Sequence, residues 1–315
     1  MNAVRTVELS KRYGRTRAVD HLTMTVEQGD IYGFVGRNGA GKSTLMKMIA
    51  GLSLPTEGYV EIFGNVIRLG ETSPRLGALI ENPGMNPGLS GLDNVMCRAL
   101  ALGTENPRAV SNDVLGLVGL SDVSKQRVSA YSLGMKQRLG LALALVGSPD
   151  LLLLDEPFNG LDPKGVREIR NLIVRLNEAR GITVFISSHV LDQLERMVTR
   201  YGVIRDGRLV RELTAEEVDR ECSDYLCIQS PEYQAALAVL QRACPDMAFD
   251  VSDDDSIRVT EELSSEDAGR MLAQAGIPVS AMYRHSRDIE DFFVELMGED
   301  APRKDHGGRG RAHHA

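Results

Sequence analysis

Short apolar runs alternate with amphipathic segments over the first 220 residues of the chain. The stretches "GDIYGFVG", "DLLLLDEP" and "ITVFISSH" are rich in consecutive apolar residues, which is typical of strands buried on both faces of a sheet. By contrast, "PKGVREIRNLIVRLNEARG" opens with Pro163, ends at Gly181 and repeats its apolar residues at helical spacing. Those residues are Val166, Ile169, Leu172, Ile173 and Leu176. This alternation predicts an α/β domain around a largely parallel sheet.

The pattern changes beyond residue 220. Strand-like and helix-like stretches then follow in the order strand, helix, strand, strand, helix, strand, from "YLCIQ" to "VSAMYRH". This βαββαβ order predicts a small ferredoxin-like α+β domain over residues 221–298, after a first domain over residues 1–220. The last helical stretch, "DIEDFFVELMG", is interpreted as a lid on the small domain's own core. Residues 299–315 contain almost no apolar residues, so we predict a disordered tail.

The charge of the chain is distributed unevenly. Residues 1–220 carry a net charge of +2, whereas residues 221–300 contain 5 Lys and Arg against 18 Asp and Glu, a net charge of −13. This step supports a domain boundary near residue 220. We expect no nucleic-acid partner, because affinity for phosphate backbones comes from an excess of Lys and Arg that the acidic second domain lacks.

The compartment follows from three further features. The sequence contains no apolar run long enough to cross a bilayer, and "MNAVRTVELSKRYG" at its start lacks the apolar centre of a signal peptide. The four cysteines show no CxxC spacing, so we predict reduced thiols rather than disulfides or a metal site. Together these features indicate a cytoplasmic chain.

The stretch "GRNGAGKST" fits the phosphate-binding pattern G-x-x-x-x-G-K-[ST] and lies between a predicted strand and a predicted helix. Its glycines allow the backbone to curl so that N–H groups point at phosphate oxygens. Lys42 adds a positive charge for the β- and γ-phosphates, and the Ser43 hydroxyl is placed to bind Mg²⁺. The predicted nucleotide-binding residues are Gly36, Asn38, Gly39, Ala40, Gly41, Lys42, Ser43 and Thr44.

Two adjacent acids, Asp155 and Glu156, end the buried run "LLLLDE". Such a pair is costly at the end of a buried strand unless a cation lies close by. We predict that Asp155 holds Mg²⁺ opposite Ser43, and that Glu156 orients and deprotonates the water that attacks the γ-phosphate. His189, at the end of "ISSH", is the candidate contact for the same phosphate.

The ordered series "GRNGAGKST", "YSLGMKQR", "LLLLDEP", "NGLD" and "SSH" resembles the nucleotide-binding subunit of an ABC transporter, over roughly the first two-thirds of the chain. The resemblance implies a P-loop NTPase fold of the ABC ATPase type, with antiparallel strands at the N-terminus and a helical subdomain over about residues 82–146. It also implies that Tyr13 stacks on adenine and that Asp162 lies in the loop that links two hydrolysis sites. ATP and Mg²⁺ are the implied cofactors.

The stretch "YSLGMKQR" takes the place of the ABC signature, which usually reads LSGGQ. It retains Ser132 and Gly134, and Tyr131, Leu133 and Met135 replace the other three residues. Because the phosphate loop already holds one side of this chain's nucleotide, we interpret Ser132 and Gly134 as binding the ATP of a second copy. Lys136 and Arg138 occupy the start of the predicted helix, where acids are expected, and either add to the attraction for that ATP or are solvated.

A second departure concerns the loop that usually supplies a glutamine, where this chain has Glu81 in "IENPG". Together, "IENPG" and "SLGMKQRL" are similar to the ATPases of bacterial bacitracin- and lantibiotic-resistance exporters. A carboxylate near the phosphates is tolerated only if Mg²⁺ or a basic group lies close by. Our hypothesis is that Glu81 is a metal-side contact that senses a membrane subunit docked around residues 81–94. The alternative is a solvated loop acid.

The leading interpretation is an Mg²⁺-dependent ATPase that powers a separate transmembrane permease from the cytoplasmic face of the membrane. Two copies would sandwich two ATP molecules, and the exported compound would be an antibiotic, a peptide or another amphiphilic molecule. One alternative is a soluble ABC ATPase that acts on nucleic acid or the ribosome, which the acidic second domain disfavours. The other is the ATPase of an importer, which the departures at Glu81 and Met135 disfavour.

Overall fold

A computed structural model of the chain describes residues 1–68, 70–81, 84–252, 254–259, 263–285 and 288–298. Proximity of Cα atoms divides it into two compact units, Met1–Ala215 with the segment from Phe293 onward, and Glu216–Phe292. The tail predicted over residues 299–315 lies outside the described residues. No helix of the described part is long and apolar enough to cross a membrane.

The described residues of the first unit form ten strands in two sheets. In chain order the strands are β1 (Asn2–Tyr13), β2 (Thr16–Glu27), β3 (Ile31–Val35), β4 (Glu57–Ile62), β5 (Asn65–Val66), β6 (Leu76–Leu79), β7 (Leu151–Asp155), β8 (Thr183–Ser188), β9 (Arg200–Arg205) and β10 (Arg208–Thr214). The six-stranded sheet has the order β10-β9-β3-β8-β7-β6, and all its neighbours are parallel except β9 and β10. The other sheet, β2-β1-β4-β5, is antiparallel throughout. This is the predicted parallel core with antiparallel strands at the N-terminus.

Five helices connect these strands: α1 (Lys42–Ile49), α2 (Gly91–Ala101), α3 (Pro107–Leu117), α4 (Leu133–Leu145) and α5 (Pro163–Arg180). Every residue of β3, β7 and β8 is buried, as expected of strands covered on both faces. Because these three strands are parallel, their carboxyl ends meet at one edge of the sheet. The phosphate loop, Glu156 and His189 each follow one of these strands, so the fold brings them together.

The second unit begins within α6 (Ala215–Cys222), and six elements follow that helix. They are β11 (Tyr225–Gln229), α7 (Tyr233–Ala243), β12 (Phe249–Val251), β13 (Ile257–Val259), α8 (Ser265–Gln274) and β14 (Ala281–His285). The strands form one antiparallel sheet in the order β12-β13-β11-β14. Alternate residues of β11 and β13 are buried in an apolar core with residues of both helices, among them Leu226, Ile228, Ile257, Val259, Ala236, Leu240, Ala268 and Leu272.

The ends of the second unit differ from the prediction. It begins at Glu216 rather than near residue 220, because α6 already starts at Ala215. The last helix, α9 (Ile289–Leu296), belongs to the first unit from Phe293 onward. There the Phe293 ring packs 5.1 Å from the Tyr201 ring of β9, measured between centroids. The prediction that α9 covers only the second unit's core is therefore wrong for its second half, since helical spacing identifies buried positions but not what covers them.

Candidate functional site

The phosphate loop is a tight connection between β3 and α1 that requires glycine at two positions. A Cβ atom on Gly36 would lie 2.5 Å from Ile204 Cγ2, and one on Gly41 would lie 2.3 Å from the Ala18 carbonyl oxygen. Gly41 also has a φ of 111°, which side chains strongly disfavour. α1 starts with neither a side-chain cap nor an acidic residue in its first turn. Its N–H groups are therefore available to an anion, as phosphate binding requires.

The Lys42 side chain is almost fully buried and is already oriented by the loop. Its Nζ donates to the carbonyl oxygens of Gly36, at 2.6 Å, and of Arg37, at 3.1 Å. The same atom lies 3.3 Å from Glu156 Oε1, an ion-pair contact without hydrogen-bond geometry. Ser43 and Thr44 follow in the first turn of α1 and are partly buried. The backbone of the phosphate loop thus holds the Lys42 ammonium group in place.

Asp155 and Glu156 are held by a residue that the sequence analysis did not identify, Ser187 at the end of β8. The buried Ser187 hydroxyl donates to Asp155 Oδ1 at 2.6 Å and accepts from the Glu156 N–H at 3.0 Å. Glu156 itself has a φ of 49°, an uncommon value for a residue with a side chain. The available signal in the sequence was the serine that ends the mostly apolar run "ITVFIS".

The Glu156 carboxylate faces His189 on one side and Lys42 on the other. Its Oε2 lies 2.8 Å from His189 Nδ1. Its Oε1 is buried and accepts no hydrogen bond from the described residues. Buried polar atoms nearly always have a partner, so this oxygen fits a water molecule beside a phosphate group. The structure therefore brings Lys42, Glu156 and His189 into contact, with Asp155 joined to Glu156 through Ser187.

The residues proposed for Mg²⁺ suit that ion. Ser43 is the second residue of α1 and Asp155 is the last residue of β7, so one hydroxyl and one carboxylate are available. Within the described ranges, no three His, Cys, Asp or Glu residues form a cluster that could hold a metal ion. Mg²⁺ commonly binds through one or two protein groups with water and substrate phosphates, so such a cluster is not required.

Glu81 has the basic neighbour that its position requires, but that neighbour belongs to the chain itself. Its Oε1 lies 2.6 Å from Lys47 Nζ in the last turn of α1. This hydrogen bond is the main cause that raises the pKa of Lys47 above its usual value. Glu81 also has a φ of 55°. The role of Glu81 as a metal contact stays a prediction, and Lys47 is its observed partner.

The signature residues line a cavity apart from the phosphate loop, referred to below as the signature cavity. Ser132 caps α4 by accepting a hydrogen bond from the Met135 N–H at 3.3 Å. Ser132, Gly134 and Asp162 line a cavity of about 550 Å³, and no residue of the stretch 36–44 lines it. Asp162 caps α5 through the Gly165 N–H. The structure thus joins the signature to the "NGLD" loop but not to the chain's own phosphate loop.

Two unusual residues of the signature have partners within the chain. Tyr131 is buried, and its hydroxyl donates to the Val123 carbonyl oxygen at 2.8 Å, which anchors the start of α4. Arg138 donates to the Val118 carbonyl oxygen at 3.3 Å and forms an ion pair with Glu168 of α5. The Arg138 charge is therefore paired rather than directed to an external anion.

Tyr13 presents an exposed ring at the end of β1. It is the last residue of β1, next to the hairpin turn at Gly14, whose φ is 59°. The Tyr13 side chain is 53% exposed, and Lys11 Nζ lies 5.0 Å from the centre of its ring. An exposed ring can accept adenine, so the adenine contact stays a prediction that this geometry permits.

Proteins of known family resemble this chain in both sequence and fold. Residues 19–159 match the family model described as ABC transporter. The chain is 40% identical over 298 residues to the bacitracin transport ATP-binding protein BcrA of Bacillus licheniformis, covering 94% of this chain and 97% of that protein. It is 39% identical over 208 residues to the lantibiotic transport ATP-binding protein SrtF of Streptococcus pyogenes, covering 65% of this chain and 87% of that protein.

A solved structure supports the fold. The dimeric post-hydrolysis state of the ATP-binding cassette MJ0796, bound to ADP and Pi, matches with a TM-score of 0.61 at 25% identity. The match covers 67% of this chain and 98% of that one. The similarities in sequence and structure confirm the resemblance inferred from the motifs.

Proposed function

Because this chain belongs to the ABC transporter family of ATP-binding subunits, we propose that it hydrolyses ATP to drive a separate permease that exports an antibiotic, a peptide or another amphiphilic compound. One observation carries the hydrolytic part of this proposal. The Glu156 carboxylate contacts His189 through one oxygen and presents its other, buried oxygen 3.3 Å from Lys42 Nζ. The export assignment is supported by relatives whose names state bacitracin and lantibiotic transport.

In the proposed site, Lys42 and the loop N–H groups bind the β- and γ-phosphates, and Tyr13 stacks on adenine. Glu156 orients the attacking water and accepts its proton, while His189 contacts the γ-phosphate. Ser43 and Asp155 hold Mg²⁺, and Glu81 is proposed to approach it from the permease side. When bound, Mg²⁺ neutralises negative charge on the phosphates.

The proposed active form is a dimer in which each ATP lies between the phosphate loop of one copy and the signature of the other. The separation of the signature cavity from residues 36–44 supports this arrangement, because Ser132 and Gly134 then face outward to a partner. ATP binding would close the dimer, and hydrolysis would open it and move the permease. We propose that the permease holds the chain at the cytoplasmic face of the membrane, and that the second unit is a ferredoxin-like accessory domain.

Co-purification tests this proposal as a whole. We expect a membrane protein to co-purify with the full chain in the presence of ATP, and the reconstituted complex to show ATPase activity that its cargo stimulates. Recovery of the chain without a membrane partner, but with ribosomes or nucleic acid, would contradict it. Cargo uptake into cells would instead identify an importer.

Ser132→Arg is expected to impair the ATP site of the partner copy. The arginine would fill the signature cavity and impair the partner's ATP site. When excess variant is mixed with wild type, turnover should therefore fall below the value expected if the variant only diluted the wild type. Turnover of mixed dimers checks this, with Ser121→Arg, an exposed serine that does not line the cavity, as the control. Strictly additive activities would contradict the shared site.

Glu81→Gln is expected to lower permease-stimulated ATPase activity by about threefold or more, with ATP binding retained, because it abolishes the ion pair with Lys47 and weakens the metal-side contact. ATPase assays with and without permease measure this effect. Glu105→Gln, another exposed loop acid, serves as the control. If basal and stimulated activity both stay at the wild-type level, Glu81 is a solvated loop acid.

A further inference from the structure

α5 extends from the "NGLD" loop into the core and carries two charged side chains in opposite directions. Glu168 and Arg170 are two positions apart, which places them about 200° apart around the helix axis. Ile169, between them, is buried and fixes the rotation of the helix in the core. Asp162 caps the same helix and lines the signature cavity. One rigid element therefore presents a carboxylate to one side and a guanidinium to the other.

On one side, Glu168 binds α4, the helix that begins at the signature. Its carboxylate pairs with Arg138, six residues after the signature Ser132, and Arg138 also donates to the Val118 carbonyl oxygen at the end of α3. Carbonyl groups at the end of a helix have no N–H donor within that helix, so Arg138 supplies one. Arg138 therefore joins three helices at one point beside the signature cavity, which both members of the ion pair line.

On the other side, Arg170 binds the loop that follows His189. Its Nη2 donates to the Asp192 carbonyl oxygen at 2.5 Å, three residues after His189. Its Nε is buried and has no acceptor among the described residues. His189 in turn contacts Glu156.

We propose that Glu168 and Arg170 are positioning residues through which α5 couples two ATP sites. One is the partner's ATP, which contacts the signature of this chain, and the other is the chain's own ATP, which contacts His189. The inference rests on the proposed dimer. Movement of the signature helix on closure is transmitted through Arg138 and Glu168 to α5, and through Arg170 to the backbone that follows His189. Each ATP site then senses whether the other is closed, which appears as cooperative hydrolysis.

The test measures ATP hydrolysis and ATP-driven dimerisation of full-length variants. Glu168→Gln is expected to raise the ATP concentration for half-maximal dimerisation about 3- to 10-fold, with monomer binding of a fluorescent ATP analogue unchanged. Arg170→Ala is expected to lower kcat about tenfold. Both variants should lower the Hill coefficient of hydrolysis. Exposed residues of the same helix give matched controls, Glu178→Gln and Arg167→Ala, and these should behave as wild type.

Rescue variants distinguish a positioning role of Glu168 and Arg170 from a role in the stability of the fold. The charge exchange Arg138→Glu with Glu168→Arg re-forms the ion pair but not the hydrogen bond to the Val118 carbonyl, so it should restore part of the ATP-driven dimerisation. Arg170→Lys, which keeps a donor, should restore much of kcat. Wild-type Hill coefficients in both single variants would overturn the inference. A loss of activity that parallels a lower unfolding temperature, and that the rescue variants do not reverse, would also overturn it. A wild-type chain that neither dimerises with ATP nor hydrolyses it would instead overturn the proposed function, and this inference with it.

Discussion

Glu156→Gln is expected to bind ATP about as tightly as the wild type and to hydrolyse it at least about 100-fold more slowly. The substitution keeps the size of the side chain and its contact with His189, but a neutral amide cannot accept the proton of the attacking water. The buried Oε1, which no described residue donates to, is the atom placed for that proton. Loss of the negative charge beside the phosphates also removes a repulsion, so the variant should accumulate as an ATP-bound dimer.

Single-turnover hydrolysis and size-exclusion chromatography with ATP measure these two effects. Glu178→Gln, an exposed carboxylate of α5, removes the same charge far from the chemistry and should hydrolyse at the wild-type rate. Wild-type turnover by Glu156→Gln would show that another group accepts the proton. Weak ATP binding with slow turnover would instead make Glu156 a binding residue.

Lys42→Ala is expected to weaken ATP binding about 10- to 100-fold, since charged hydrogen bonds to phosphate are lost at a buried position. In the free protein the Lys42 ammonium is already fixed by the Gly36 and Arg37 carbonyl oxygens. Little conformational entropy is therefore lost when phosphate replaces these contacts. The truncation also removes the cation beside the Glu156 carboxylate. The uncompensated negative charge of Glu156 then repels the nucleotide.

Titration with a fluorescent ATP analogue gives the affinity, and thermal unfolding with and without ATP shows whether the fold survives. The variant should unfold cooperatively but lose the stabilisation that ATP gives the wild type. Lys125→Ala, at an exposed position, should retain both binding and stabilisation. Equal affinity of Lys42→Ala and wild type would refute the assignment of the phosphate loop.

The elements of the first unit follow closely from local patterns. β3, β7 and β8 are the three runs of apolar residues, and α5 extends from Pro163 to Arg180 as its start, end and spacing predict. These features are local because backbone conformation and the burial of one face depend on residues a few positions apart. α9 shows the limit of that reasoning, since its buried face packs in part against β9 rather than only within the second unit.

The candidate site divides in the same way. Lys42, Asp155, Glu156 and His189 were predictable because each belongs to a short motif whose chemistry is carried by neighbours in the chain. The contacts between motifs were not predictable from the sequence. Glu81 pairs with Lys47 across 34 positions, Asp155 accepts from Ser187 across 32, and Arg138 pairs with Glu168 across 30.

The physical reason is that a motif encodes a backbone shape and a reactive group, whereas a partner depends on which strand ends and helix faces the folded core brings within about 3 Å. The glycine loop, the acidic end of β7 and His189 after β8 therefore indicate an ATPase from the sequence alone. The packing of α5 against α4 and the His189 loop, by contrast, emerged only once the sheet and its helices were assembled. That packing pairs Arg138 with Glu168, whereas the sequence left open whether Arg138 attracts an external anion or is solvated.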